Sequence, residues 1–600
     1  MKNEKFFAAL FLGLFLLFFV VGCNYKQTET LQEKTWFEER EVLYVSKPWV
    51  PRIWKDEPPE GCPIPPSKEF TAIAFTGKHI SYTDADTWYP SWAKDGNMYS
   101  GWTDGEIGLE SCHSSGGDRA RTGNARIEGD DPMNLKIISL GTEGASALPY
   151  RGRYPCAYLV YEGVWFYGTY VIDFDPDPEN EKYSWAITGP LAGFRISKDY
   201  GKTWIPCPLT PSNPLFPESG KNGQRAKMGT PHFVDFGRNM ENSPDGKAYL
   251  VGHGAIDNDP TPRVAGVSWI AGDAIYLARV KPSPEMINNL SSYEFFSGYD
   301  EKGEAMWSKN FSDLKPLLVW NDHMGCVNIT YNQPLKKYLM CVTDGWPGIA
   351  EMSTYILESD KITGPYRMIT YMKNFGVQGY FVTFPSKFIS DDGRTLWLSY
   401  SANFYEGYFA DRTKADPQGS RYAWNLQEIK LLGPQEEERL KKELEQAQPD
   451  PIKSEANLAL RAEVIVSSAA RKARQFTEVI QFFGEGAVDG VVDVENNSKL
   501  QEWVSEEKNS AFIRLLWKKP VKVSRVWLFD RPDPDNQITS GMLVFSDGST
   551  IPFSELPNDA GRAREIKFPQ RSITWLAMVV TGVSPSTRNA GLAEIAVFEK

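Results

Sequence analysis

The stretch Asp84-Ala-Asp86-Thr-Trp88-Tyr-Pro-Ser-Trp92 sets two carboxylates and two indoles within nine residues, and Lys94-Asp-Gly96 then turns the chain into Met98-Tyr-Ser-Gly-Trp102-Thr-Asp104-Gly. Carboxylates move protons or hold hydroxyls. Aromatic rings offer flat apolar faces on which a sugar ring can lie. Asp86 and Asp104 are therefore the first catalytic candidates, with Asp84, Trp88, Trp92 and Trp102 as candidate substrate-binding neighbours. Asp95-Gly96 between two apolar-aromatic runs is a hairpin signal. The competing reading is thus a plain hairpin with core tryptophans and turn aspartates.

Asp104 closes an alternating strand, and that pattern recurs. From about residue 68 to 432, turns lead into short strands rich in aromatics, such as Cys156-Ala-Tyr-Leu-Val-Tyr161, Lys247-Ala-Tyr-Leu-Val-Gly252, Lys337-Tyr-Leu-Met-Cys-Val342 and Thr395-Leu-Trp-Leu-Ser-Tyr400. Repeated units of this kind predict an all-β fold, a β-propeller, over 68–432. Five blades with long loops are favoured; six or seven compact blades are the alternative. A propeller builds its site at the funnel mouth from several blades, so chemistry-bearing residues should recur from blade to blade. His253 in Gly252-His-Gly, Asp322 in Trp320-Asn-Asp-His, and Glu351 after Asp344-Gly-Trp346 join the catalytic candidates; His232, His323 and Tyr380 join the substrate-binding ones. The chain has 5 His, and a lone histidine in a turn is more often structural. His253 is the best exception, because flanking glycines let a ligand approach the backbone closely. Asp95, Asp245, Asp392 and Asp547 stand in Asp-Gly turns and read as turn formers.

A chain of 600 residues exceeds one ordinary core, so two or more domains are expected. With 13% aromatic residues, 49 Gly and 41 Pro, the composition favours β structure. A net charge of −12 argues against nucleic acid as the partner. Residues 1–23 open with lysines and continue as the apolar run Phe6 to Val21, the pattern of a signal peptide. Its end, Val20-Val-Gly-Cys23, resembles the bacterial lipobox. By that resemblance Cys23 is lipidated and the protein is an exported lipoprotein of the outer membrane; a plain signal peptide or membrane anchor is the alternative. Residues 24–67 read as a polar tether and lead-in. The other six cysteines lack CxxC spacing, which speaks against structural zinc. Export permits disulfides, and the sequence leaves both pairing and buried free thiols open.

Ser197-Lys-Asp199-Tyr-Gly201-Lys-Thr203-Trp204 matches the Asp-box pattern S-x-D-x-G-x-T-W and resembles the hairpins of sialidase-like propeller blades, where Asp and Ser satisfy turn amides. That resemblance makes Asp199 structural. The block around Asp86 and Asp104, with Tyr331 to Met340, Gly364-Pro-Tyr366 and Phe388 to Tyr400, resembles propeller glycoside hydrolases of the arabinanase and fructosidase type and the D-arabinan-cleaving propellers. The resemblance implies carboxylates from different blades acting as acid, base or nucleophile, and orienter. It carries over to Asp86 and Asp104, and less firmly to Asp322 or Glu351. Residues 433–456 are charged and helical, a linker with a solvated face. Residues 457–600 resemble the discoidin (coagulation factor type C) galactose-binding-like family through Ala487-Val-Asp489-Gly, Glu502-Trp, Val523 to Asp530 and Gly591-Leu-Ala-Glu594-Ile-Ala-Val-Phe598. That family is a β-sandwich jelly roll, so the resemblance implies one here. It also implies a structural calcium near Asp489, Asp493 and Glu594, and a role as glycan binder or spacer.

The sequence therefore points to a surface-anchored glycoside hydrolase acting on a polysaccharide or oligosaccharide, with no cofactor required for catalysis. A polysaccharide lyase on the same propeller is the alternative, using His253 or His323 with a Tyr, and Arg119, Arg121 or Arg225 against a uronate. A non-catalytic glycan-binding lipoprotein is the third reading.

Overall fold

The computed structural model describes residues 36–44, 51–173, 186–221, 224–257, 268–345, 348, 352–402, 416–446, 450–474, 478–481, 483–490, 492, 502–533 and 535–600. The aromatic-rich alternating runs become antiparallel strands gathered into five sheets, the blades of a five-bladed propeller. Blade 1 consists of Asp84–Asp86, Met98–Ile107, Arg121–Glu128 and Lys136–Gly144. Blade 2 consists of Gly152–Tyr161, Val164–Asp173 and Ile187–Ser197, with Ile205 bridged to Ile196 beside them. Blade 3 runs through Gly229–Phe233, Ala248–Gly254, Ala274–Val280, Glu294–Tyr299 and Ala305–Ser308. Val327–Asn332, Lys337–Asp344, Ser353–Ser359 and Arg367–Met372 make blade 4.

Blade 5 joins the two ends of the ring. Tyr380–Thr383, Thr395–Ser401 and Trp424–Leu432 come late in the chain, whereas Ala72–Tyr82 and Arg52–Trp54 come early. The early strand pairs antiparallel with the late one, from Trp424 opposite Tyr82 to Leu432 opposite Ala72. This closure covers edges that would otherwise stay open. Blade faces are buried on both sides, and Trp88 of blade 1 stacks on Trp424 of blade 5 with ring centroids 5.4 Å apart. In each blade the first strand begins, and the second ends, on one face of the ring; that face is the mouth.

The Asp-box folds as its residue types dictate. Asp199 accepts from the Thr203 amide at 2.9 Å and hydroxyl at 2.7 Å, and Ser197 accepts from the Gly201 amide at 2.7 Å. These bonds hold the Asp199 carboxyl down at about 2. Trp204 packs on Trp165 and Tyr167.

The charged run after the propeller forms a helix, Pro434–Gln446. It is not wholly solvated: Glu437 is buried, accepting from Thr71, Lys55 and Lys441. Beyond it lies a β-sandwich of jelly-roll type, whose main sheet contains Glu463–Val466, Phe512–Phe529, Arg562–Val583, Ile538–Phe545, Thr550–Phe553 and Glu594–Phe598. One further strand of that sheet comes from the other end of the chain. Glu38–Leu43 pairs with Arg562–Val583, Glu38 opposite Lys567 and Leu43 opposite Arg562. Residues expected to be tether are thus part of the sandwich. Arg40 pairs with the buried Glu565, and the Tyr44 hydroxyl donates to Asp450 at 2.5 Å. Cys62, Cys112, Cys156, Cys207, Cys326 and Cys341 are free thiols. Among the described residues no helix is long and apolar enough to cross a membrane.

A candidate active site at the propeller mouth

Asp86 ends the short first strand of blade 1, and Asp104 lies near the end of the second. The strands touch because residue 105 is glycine: a Cβ there would lie 1.9 Å from the Asp84 carbonyl oxygen. Gly105→Ala should therefore push the two carboxylate-bearing strands apart and cut turnover about tenfold or more. Steady-state rates, read alongside an unchanged circular dichroism spectrum, check this. Thr87 and Asp104 adopt left-handed backbone, φ 71° and 47°. Such conformations are costly for residues with a Cβ, and they cluster where function requires an aimed side chain.

Asp86 is buried, and Asp104 is half-buried, its side chain 24% exposed. Asp86 accepts from the Thr87 hydroxyl at 2.7 Å and from the Tyr380 hydroxyl at 2.9 Å. Asp104 accepts from the Ser114 amide at 2.7 Å, and its backbone carbonyl accepts from the Tyr422 hydroxyl at 2.6 Å. Burial, and then the nearby Asp104 charge, push the Asp86 carboxyl well above the ordinary carboxylate range. Burial likewise raises Asp104. The phenols of Tyr154, Tyr380 and Tyr422 are pushed up by burial and then by these two carboxylates, and Asp86 also acts on Cys326. Groups from blades 1, 2, 4 and 5 thus converge on Asp86, and the surrounding tyrosines are neutral hydrogen-bond donors. His113, 72% exposed, stands 3.9 Å from Asp104 at the rim. Such a site can hold one proton between two carboxylates and offer hydroxyls to a polar ligand.

Two of the tryptophans expected to face sugar do not. Trp88 and Trp102 are 0% exposed. They belong to the apolar cluster beneath the carboxylates, and Trp92 packs against it with its Nε1 buried. Blades are covered on both faces, so an alternating aromatic points into a neighbouring blade rather than into water. Asp84 is exposed on the strand that carries Asp86. Tyr380 is buried, a partner of Asp86 rather than an open ligand contact.

The histidines separate. His253 is fully buried, its Nε2 2.9 Å from the Ser268 carbonyl oxygen, and burial lowers its pKa to about 4. It is a neutral interior residue, not an accessible base. His232 is buried in the axial channel and stacks on Tyr89 at 3.6 Å between centroids. It lines a cavity with Trp92, Asp235, Met240, Asn328 and Thr383, on the opposite side of the ring from the mouth. Asp322 and His323 stand at the mouth on blade 4, where the Asp322 amide donates to Asp273 at 3.3 Å and His323 meets Asp344. Arg121 bonds Thr142 through its guanidinium. Glu351, Asp493 and Cys23 lie outside the described residues. Tyr154, Tyr422, His113 and Asp344 were not singled out by sequence reasoning; only Asp344, at a strand end like Asp104, carried a readable signal.

In the C-terminal sandwich Glu594 is fully buried. One carboxylate oxygen accepts from the Gly490 amide at 3.0 Å, and the other, also buried, has no hydrogen-bond partner. Burial and the adjacent Asp489 raise its pKa. An orphaned carboxylate oxygen beside a second carboxylate fits a hard cation such as calcium. Among the described residues there is no group of three or more His, Cys, Asp or Glu placed to hold a metal.

A family profile described as a domain of unknown function (DUF7402) matches residues 457–598. No curated protein sequence matches the chain. Among solved structures, the chain is similar to one named as a glycoside hydrolase, with 12% identity, 86% of this chain and 97% of that one covered, and a TM-score of 0.28. It is also similar to a Streptococcus pneumoniae fucose binding module, with 18% identity, 24% and 95% covered, and a TM-score of 0.19. A chitosan-binding module from a chitosanase/glucanase of Paenibacillus sp. IK-5 shows 21% identity, 24% and 99% covered, and a TM-score of 0.17. These likenesses are too distant to assign an activity.

Proposed function

We propose that this protein is a glycoside hydrolase acting on a polysaccharide or oligosaccharide, with Asp86 and Asp104 as its proton-transfer pair. The observation that carries the reading is the pair itself: two carboxylates on adjoining strands, Asp86 buried and Asp104 half-buried, both raised by burial and flanked by neutral tyrosine hydroxyls. At neutral pH such a pair retains a proton. The protonated member donates to the glycosidic oxygen as the C–O bond breaks, and the ionised member takes a proton from water or attacks the anomeric carbon. Incubation of the full-length protein with plant, algal and host polysaccharides tests the reading, with reducing ends and ultraviolet absorbance followed together. Reducing ends without absorbance are expected. Absorbance rising with them would mean β-elimination, and retention on a glycan without turnover would mean a binding protein; either replaces the hydrolase.

The lipobox-like sequence supports export and attachment to the outer membrane through Cys23. Cys23→Ser should move the protein from the membrane fraction to the soluble one.

The orphaned Glu594 oxygen supports a structural calcium in the sandwich, held by Glu594 and Asp489 with Asp493 as a further ligand. Calcium should raise the melting midpoint of the sandwich and a chelator lower it, and Glu594→Gln should remove the response.

A further inference from the structure

The two carboxylates of the mouth differ in what faces each of them. Asp86, 7% exposed, accepts from two hydroxyls, those of Thr87 at 2.7 Å and Tyr380 at 2.9 Å. A hydroxyl can turn and accept from a protonated carboxyl. Asp104 presents Oδ1 to the Ser114 amide at 2.7 Å, the Thr103 hydroxyl at 3.3 Å and Nδ1 of His113 at 3.9 Å. An amide N–H can only donate, and it favours the ionised form. The loop that brings these groups is tied on two sides: the Arg121 amide donates to the His113 carbonyl, and the Arg153 amide to that of Ser114, each at 2.9 Å. The backbone thus holds His113 beside Asp104, while its imidazole stays open to solvent. Burial raises the phenols of Tyr154, Tyr380 and Tyr422 and the thiols of Cys112 and Cys326, so these neighbours are neutral. The Arg121 guanidinium is turned to Thr142, and Asp84 stands exposed opposite Glu106.

Burial raises both carboxylates, but the Ser114 amide and the charge of His113 act against it at Asp104, and an ionised Asp104 raises Asp86 further. We propose that Asp86 keeps the proton and is the general acid, that Asp104 is the ionised base or nucleophile, and that His113 is a positioning residue whose charge keeps Asp104 ionised. The proposal rests on the reading of the mouth as a hydrolase site and assigns the two roles within the pair. Asp86 gives its proton to the glycosidic oxygen as the C–O bond breaks, and the leaving sugar departs as an alcohol. Asp104 takes a proton from the attacking water, or bonds the anomeric carbon and is released by water in a second step. In the first route Asp104 gains as many protons as Asp86 gives, and exchange with solvent restores both. In the second, Asp86 recovers its proton from the releasing water.

Infrared difference spectra of the full-length protein place the proton without substrate. At neutral pH, wild type minus Asp86→Asn should show the C=O stretch of a protonated acid, and wild type minus Asp104→Asn the bands of an ionised carboxylate. With the polysaccharide that wild type hydrolyses, His113→Gln should move the acid-side limb of kcat/KM up by roughly half a pH unit to one unit. His113→Lys, which keeps a cation there, should move it less. A histidine that merely props the loop would lower the rate at every pH and leave the limb in place. Sodium azide should speed Asp104→Ala by about tenfold or more and yield a glycosyl azide, because azide bonds the anomeric carbon while Asp86 still protonates the leaving oxygen. Asp86→Ala should stay slow in azide. A protonated-acid band lost with Asp104→Asn instead, an unmoved limb in His113→Gln, or azide recovery of Asp86→Ala in place of Asp104→Ala overturns the assignment. If none of the plant, algal and host polysaccharides is turned over, the hydrolase reading fails, and the spectra still decide which carboxylate holds the proton.

Discussion

Asp86→Asn should fold normally, lose hydrolysis by about 10³-fold, and melt above wild type at about pH 8 but not at about pH 4. The activity loss follows from removing one member of the proton-transfer pair. The stability gain follows from linkage. Burial, and then Asp104, raise the Asp86 pKa in the native state, whereas the unfolded chain returns it to about 3.9. Native Asp86 therefore binds its proton more tightly than unfolded Asp86. Its contribution to stability is complete below the unfolded value and declines as pH rises through the raised native one. Asparagine never ionises, so the advantage of the variant should open above about pH 4 and level off beyond the native pKa. The Thr87 and Tyr380 hydroxyls, which donate to Asp86, can still donate to the amide oxygen. Thermal midpoints across pH, beside reducing-end assays, measure both effects. A variant that is active, or that melts below wild type by the same margin at every pH, would show that Asp86 is a structural acceptor. For the same reason hydrolysis by wild type should fall as pH rises through the raised range.

Trp102→Ala should cost about 3–5 kcal/mol of propeller stability, read as a lower denaturation midpoint, and not merely raise KM. The indole is 0% exposed within the cluster beneath Asp86 and Asp104. A Cβ at Gly123 would meet Trp102 Cε2 at 2.1 Å, so the opposite surface is flat by composition. Gly123→Ala should destabilise the same region by overpacking. If Trp102 were a sugar platform instead, the alanine variant would melt with wild type and fail only in binding.

The contrast between Asp86 and Trp102 shows what the sequence made legible. Strand periodicity, turn signals and the Asp-box all act over a few residues, so the propeller could be read from them, and so could the helix at 434–446. The jelly roll was read from its resemblance to the discoidin family. The density of Asp84, Asp86 and Asp104 also drew attention to the blade on which Asp86 and Asp104 lie on adjoining strands. Alternation says only that a residue lies on one face of a strand; in a blade both faces are buried, so Trp88 and Trp102 looked the same whether core or platform. Tyr154, Tyr380 and Tyr422 reach the carboxylates from two other blades, and that convergence belongs to ring closure rather than to local pattern. Glu38–Leu43 was read as tether because Glu-Glu-Arg-Glu looks solvated. On an edge strand, charge of that kind is what discourages unwanted pairing.

That strand and the closure of blade 5 bear on how the chain can fold as it is made. Glu38 finds its partner at Lys567, and Ala72 at Leu432. Neither early segment can settle until almost the whole of its own domain has been synthesised, so completion of either domain from the N-terminus forward is blocked. Both domains finish late, through contacts of very long sequence separation, which is the slow and aggregation-exposed regime of folding. A fragment cut at residue 457 would emerge with the Arg562–Lys567 edge unpaired, and one that starts after residue 44 would have the same exposed edge. The sandwich is therefore contiguous in space but not along the chain, and its natural unit of production is the full length.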